Sequence, residues 1–134
     1  MSFQSDIELF CDFSVNALNN LITDVIDEVS SEVIYRTPVD TGRARSNWIL
    51  GINKMNLSSE WGSYDPIGND TLKRIINSLP SYKIGNIYFV SNSIEYIGEL
   101  EQGKSWSQAP FGILKMAELS FDKILNRVVA RYVQ

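Results

Sequence analysis

The sequence predicts an α+β fold in which long N-terminal and C-terminal helices pack on one face of a small antiparallel sheet. Three observations carry this expectation. Apolar residues recur at helical spacing toward both ends of the chain, β-branched and aromatic runs lie between them, and Pro and Gly mark the boundaries. With 134 residues, 44% of them hydrophobic and 11% aromatic, the chain suffices for one core, so residues 1–134 are expected to form a single domain.

The first helix is expected from about Ser5 to Arg36, with Ile7, Cys11, Leu18, Leu21, Val25, Val29 and Val33 as its inward stripe. At about 1.5 Å per residue it would be ~45 Å long, and two readings stay open: a helix draped over its own sheet, or one that also packs on a neighbouring subunit. Thr37-Pro38 ends it, since proline disfavours helical geometry in the residue before it. The corner Pro38-Val39-Asp40-Thr41-Gly42 follows, in which Asp40 is expected to cap the next turn and Gly42 to adopt dihedrals closed to other residues. A strand is expected over residues 45–53, then a long loop over 54–68 with room for an edge strand, then a short helix over 70–79 with Leu72, Ile75, Ile76 and Leu79 inward. Residues 87–91 form the second strand, residues 95–101 a helical turn closed by Gly103. Pro110 begins the last helix, whose expected inward stripe is Leu114, Ala117, Phe121, Ile124, Leu125, Val128 and Tyr132. Lys123, Arg127 and Arg131 share its other side and read as a solvated edge rather than as partners of the acidic first helix.

Composition excludes several kinds of chemistry. The chain has no histidine and one cysteine, Cys11, which removes Ser-His and Cys-His nucleophile pairs, an intramolecular disulfide and a thiolate zinc cage; Cys11 reads as a packed hydrophobe. The opening residues lack the basic stretch of a signal peptide and no run approaches the ~20 apolar residues of a membrane span, so a cytosolic origin is expected. Residues 1–35 carry seven acids and no base, while the remainder carries twelve bases against nine acids with no clustered basic stripe, which argues against sequence-specific nucleic-acid binding.

Asp40-Thr41-Gly42 is the tripeptide of aspartic proteases, but here Pro38 precedes it and Arg43 and Arg45 follow. A nearby guanidinium would hold Asp40 ionised, against the shared proton that a carboxylate dyad needs. Glu99 and Glu101 are too close in sequence to face each other on a helix, and Glu60, Asp65 and Asp70 lack the spacing of a calcium loop. The expectation is therefore no enzyme, no cofactor and no metal.

Two segments, Thr37-Pro38-Val39-Asp40-Thr41-Gly42-Arg43-Ala44-Arg45-Ser46-Asn47-Trp48 and Tyr96 through Leu100-Glu101-Gln102-Gly103 to Gln108-Ala109-Pro110, resemble the tail-completion, or neck, proteins of tailed bacteriophages. Ile87, Tyr88 and Asn92 approximate a third piece between them, and the resemblance spans Val33 to Ala117, departing at residues 54–66 and at Gln102. It implies a structural virion protein at the head-tail joint, assembled in the host cytoplasm. There it would form a ring of identical subunits through which DNA passes, with connector or adaptor proteins on one side and tail tube or tail terminator proteins on the other. Pro38, Asp40, Thr41, Gly42, Arg43, Arg45 and Trp48 are then the structural corner, and Trp61, Trp106 and Glu101 the candidate interface. For the tryptophans, burial within the chain is the competing reading. The competing function is a small cytoplasmic adaptor or inhibitor that binds a host protein through its acidic helix.

Overall fold

The computed structural model describes residues 3–59, 64–103, 109 and 111–132, and in the first helix the side chains of residue 4 and of residue 14 onward. The elements, in chain order, are α1 (Phe3–Arg36), α2 (Arg43–Ser46), β1 (Trp48–Ile52), α3 (Asn69–Asn77), β2 (Tyr88–Asn92), α4 (Ile97–Glu101) and α5 (Leu114–Ala130). β1 and β2 pair antiparallel with Trp48 opposite Asn92 and Ile52 opposite Tyr88, and the long helices α1 and α5 pack on this two-stranded sheet. The α+β expectation is met.

The core is built from Ile26, Val33 and Ile34 of α1, Trp48 and Leu50 of β1, Ile75 of α3, and Ala109, Ile113 and Ala117 around the start of α5. Leu72, Ile76 and Leu79 pack against it, so the inward face expected for α3 is observed. The stripes expected for the long helices are observed only in part. Among the described side chains of α1 the buried ones are Asn19, Ile26, Ser30, Val33 and Ile34, of which only Val33 lies on the predicted line, and Leu18 is 43% exposed. On α5, Ala117, Ile124 and Val128 are buried while Leu114 and Phe121 are 50% and 41% exposed. Each helix carries apolar residues over more than the width of one buried stripe, and only one edge of each broad face reaches the core. The predicted Ile7 and Cys11 side chains and Pro110 lie outside the description.

The first strand is shorter than expected because residues 43–46 wind into a helical turn. The Ser46 amide donates to the Gly42 carbonyl at 2.9 Å, and the Ser46 hydroxyl and Asn47 amide group donate to the Arg43 carbonyl at 3.0 and 2.7 Å. Such local side-chain bonds compete with a strand ladder, so pairing starts only at Trp48. Among the described residues of 54–68 there is no edge strand. Instead the chain folds back on β1: a Cβ at Gly51 would lie 2.2 Å from the Lys54 carbonyl oxygen, and the Ser91 hydroxyl donates to the Asn56 carbonyl at 2.8 Å.

Candidate functional site

Two features stand out, a rigid corner and an open apolar groove. At the corner, the Trp48 ring is 1% exposed and its Nε1–H donates to Thr37 Oγ1 at 2.7 Å. The Thr37 hydroxyl in turn donates to the Val33 carbonyl at 2.5 Å. This chain of bonds ties β1 to the last turn of α1, and it places Trp48 within the molecule rather than at an interface. Arg45 gathers three carbonyls around one guanidinium, Pro66 at 2.8 Å, Thr37 at 3.0 Å and Tyr35 at 3.2 Å. Arg43 forms a fork with Glu95, at 2.8 and 3.0 Å, with its guanidinium 5.6 Å from the Tyr96 ring centre. The hydrogen bond to Arg43 holds the Glu95 carboxyl below its usual range.

Gly42 sits at φ +92°, and a Cβ there would lie 2.5 Å from the Pro66 nitrogen. Its role is as expected, whereas that of Asp40 is not. Asp40 is exposed, and the Arg43 amide donates to Thr41 Oγ1 at 3.3 Å; Thr41 thus supplies the side-chain acceptor that was assigned to Asp40. The aspartate that does cap a helix is Asp65, which accepts from the Gly68 and Thr71 amides at 3.0 and 2.8 Å and from the Thr71 hydroxyl at 2.8 Å. Burial pushes its carboxyl upward, but the hydrogen bonds from Thr71, Gly68 and Asp70 outweigh this and hold it below the ordinary value. Pro38 lines the outer side of the corner with Val39, Tyr64 and Tyr96 in a shallow cleft of about 470 Å³.

Two further residues complete the corner, Asn92 of the resemblance's third piece and Arg74, which the sequence reading does not single out. Arg74 of α3 donates to the Ser46 and Trp48 carbonyls at 2.7 and 2.6 Å. Asn92 of β2 donates to the Ala44 carbonyl at 2.8 Å. Both reach across from elements distant in sequence, and no local spacing encodes them.

Glu101 is a capping residue in the structure. Its carboxylate accepts from the amides of Ile113, Leu114 and Lys115 at 2.8, 2.7 and 3.0 Å, satisfying the orphan donors at the start of α5 with a negative charge at the positive end of its dipole. Gly112 lets the chain come this close, since a Cβ there would lie 2.6 Å from the Glu101 carbonyl oxygen. The carboxylate assigned to an interface is thus engaged within the chain. Trp61 and Trp106, the other candidate interface residues, lie outside the described residues.

The edge of α5 read as solvated is a clamp on α1. Arg127 Nε donates to Glu28 at 3.1 Å, a second Arg127 nitrogen and Arg131 also reach Glu28, and the Tyr132 hydroxyl donates to Asp24. Lys123 alone of the three bases matches the solvated reading, being exposed. The hydrogen bond from Arg127 holds the Glu28 carboxyl below its ordinary value despite partial burial. The Asp27 carboxyl moves the other way, raised first by burial and then by the charges of Asp24 and Glu28. Packing antiparallel helices brings acids four residues apart opposite bases four residues apart, and this matched spacing was the available signal.

The groove lies between α1 and α5, with β2 as its floor. Leu21, Val25 and Val29 line one wall, Leu114, Phe121 and Leu125 the other, and Tyr88 and Val90 the base, enclosing about 860 Å³. Glu118 and Asp122 stand at its rim on α5, both exposed. Of the predicted inward residues that miss the core, Leu21, Val25, Val29, Leu114, Phe121 and Leu125 gather around this open apolar recess. Apart from Glu118 and Asp122 and the Tyr88 ring, its lining is wholly apolar. Among the described residues, no three of His, Cys, Asp and Glu are grouped to hold a metal ion, and no helix is long and apolar enough to cross a membrane. No family model, no curated protein and no solved structure matches the chain.

Proposed function

We propose that this chain is a structural virion protein at the head-tail joint of a tailed bacteriophage, completing the tail or neck as a ring of identical subunits that lets DNA pass. The observation that carries the reading is the groove. Two long helices and a strand present a continuous apolar recess to solvent, the kind of surface that assembly covers. The resemblance of the Thr37–Trp48 and Tyr96–Pro110 segments to tail-completion proteins supplies the setting, with connector or adaptor proteins and tail tube or tail terminator proteins as neighbours. The bonds at the corner are consistent with that assignment, since Thr37, Arg45, Gly42 and Trp48 fix the geometry between α1 and β1.

The adaptor reading, in which the acidic helix captures a host protein, is less well supported. Asp24 and Glu28 are already engaged by Tyr132, Arg127 and Arg131 of the same chain. Electron microscopy of particles produced when the gene is silenced in its phage tests the proposal. DNA-filled heads beside detached tails are the expected result, and normal joined particles would contradict it.

A further inference from the structure

Among the described residues β2 has one neighbour in its sheet, β1, and its far edge is open. The register decides which main-chain groups that edge presents. The Asn53 amide donates to the Ile87 carbonyl at 2.7 Å, which makes these two a hydrogen-bonded pair. Alternation along the ladder then makes Gly51 with Phe89, and Ile49 with Ser91, hydrogen-bonded pairs as well. The N–H and C=O groups of Tyr88 and Val90 therefore point away from β1. Trp48 obeys the same alternation on the other strand, where its outward carbonyl accepts from Arg74 at 2.6 Å. No such partner serves β2: among the described residues no hydrogen bond reaches the main chain of Tyr88 or Val90.

The side chains of the same two residues form the floor of the groove. Tyr88 is fixed there by its hydroxyl, which donates to the Lys83 carbonyl at 2.6 Å. Edge strands are ordinarily blocked by a charge, a proline or a bulge. Tyr88-Phe89-Val90-Ser91-Asn92 carries neither charge nor proline, and its register with β1 runs without a bulge.

We propose that an extended segment of a partner protein adds to the free edge of β2 as a third strand and places every second side chain in the groove. The main chain decides against a helix. A helix satisfies its own N–H and C=O groups, so one laid in the groove would cover those of Tyr88 and Val90 without pairing them, whereas a strand pairs them. The lining, with Leu21, Val25, Phe121 and Leu125, selects apolar side chains at alternate positions. The rim selects charge. Glu118 and Asp122 are exposed and, among the described residues, take part in no ion pair, so lysine or arginine in the segment completes the fit. The inference deepens the function proposed above, resting on it for the partner's setting, and names how the groove holds that partner.

The test uses the full-length protein as bait for a displayed library of short random peptides, followed by synthesis of those selected. The selected sequences are expected to carry apolar residues at every second position together with Lys or Arg, and to bind more weakly as salt rises. Methylating the amide nitrogens of the edge-facing residues in such a peptide removes donors without touching side chains, and should weaken binding about tenfold or more; methylating the alternate set should not. Bound peptide should slow hydrogen exchange at the Tyr88 and Val90 amides. Val90→Pro removes an outward-facing donor and leaves the ladder with β1, so this variant should lose the peptides, as should Phe121→Glu. Selected peptides with apolar residues at helical spacing, binding indifferent to methylation, unchanged exchange at Tyr88 and Val90, or no peptide whose binding depends on Phe121 would each overturn the inference. Protection of those amides by raised protein concentration alone would assign the edge to a second copy and overturn it too. Failure here beside detached tails on silencing would leave the head-tail reading standing, whereas normal joined particles would remove that reading alone.

Discussion

At the residue scale, the corner shows how a few polar side chains hold two elements in one relation. The Trp48 indole N–H is buried and depends on Thr37 Oγ1. Thr37→Val keeps the shape and removes the acceptor, leaving a buried donor unpaired at a cost of about 1–3 kcal/mol, measurable by urea unfolding. Gly42→Ala faces both a positive φ and a backbone 2.5 Å from the added Cβ, so a loss of more than about 1 kcal/mol is expected in the same assay. The glycine was legible in the sequence because a tight corner after Thr37-Pro38 demands it. That Thr41 rather than Asp40 accepts from the Arg43 amide was not, because both residues offer a side-chain oxygen to the same turn. Arg74 was invisible because its partners are carbonyls brought near only by the completed fold, whereas Asn92 stood out only through the resemblance, with no hint of its bond to Ala44.

At the scale of elements, α5 owes its start to Glu101 and its seat on α1 to the clamp at its far end. Glu101→Ala should cost about 1–2 kcal/mol by uncapping three amides, and Glu101→Gln less, since an acceptor oxygen remains. The clamp predicts a pH dependence. Glu28 lies below its unfolded value in the folded chain, so its contribution is present above about 4.5 and is lost as pH falls through the lower folded value. Asp65 acts in the same direction. Asp27, raised in the folded chain, favours folding when protonated, and that gain is lost as pH rises through its folded value. Glu28→Gln should therefore flatten the acid side of the stability profile, read as unfolding midpoint against pH. The helices themselves were legible from spacing and from their Pro and Gly boundaries. Which side of each helix is buried was not, because Leu21, Val25 and Val29 follow the same period as Ile22, Ile26 and Val33 a short rotation away.

At the scale of the molecule, the two sets meet in one place, since Ile22, Ile26 and Val33 line the groove together with Leu21, Val25 and Val29. Ile26, Val33, Ile124 and Val128 are buried, and Leu21, Val25, Phe121 and Leu125 form the more open walls of the groove. The proposed role of this groove, an assembly surface of a virion joint, is open to direct test at Phe121. The most direct measurement supplies Phe121→Glu in trans to phage whose own copy of the gene is silenced and scores joined, infectious particles. The wild-type chain is expected to restore them, and the folded groove variant to yield filled heads without attached tails. Restoration by the variant to the wild-type level would contradict it.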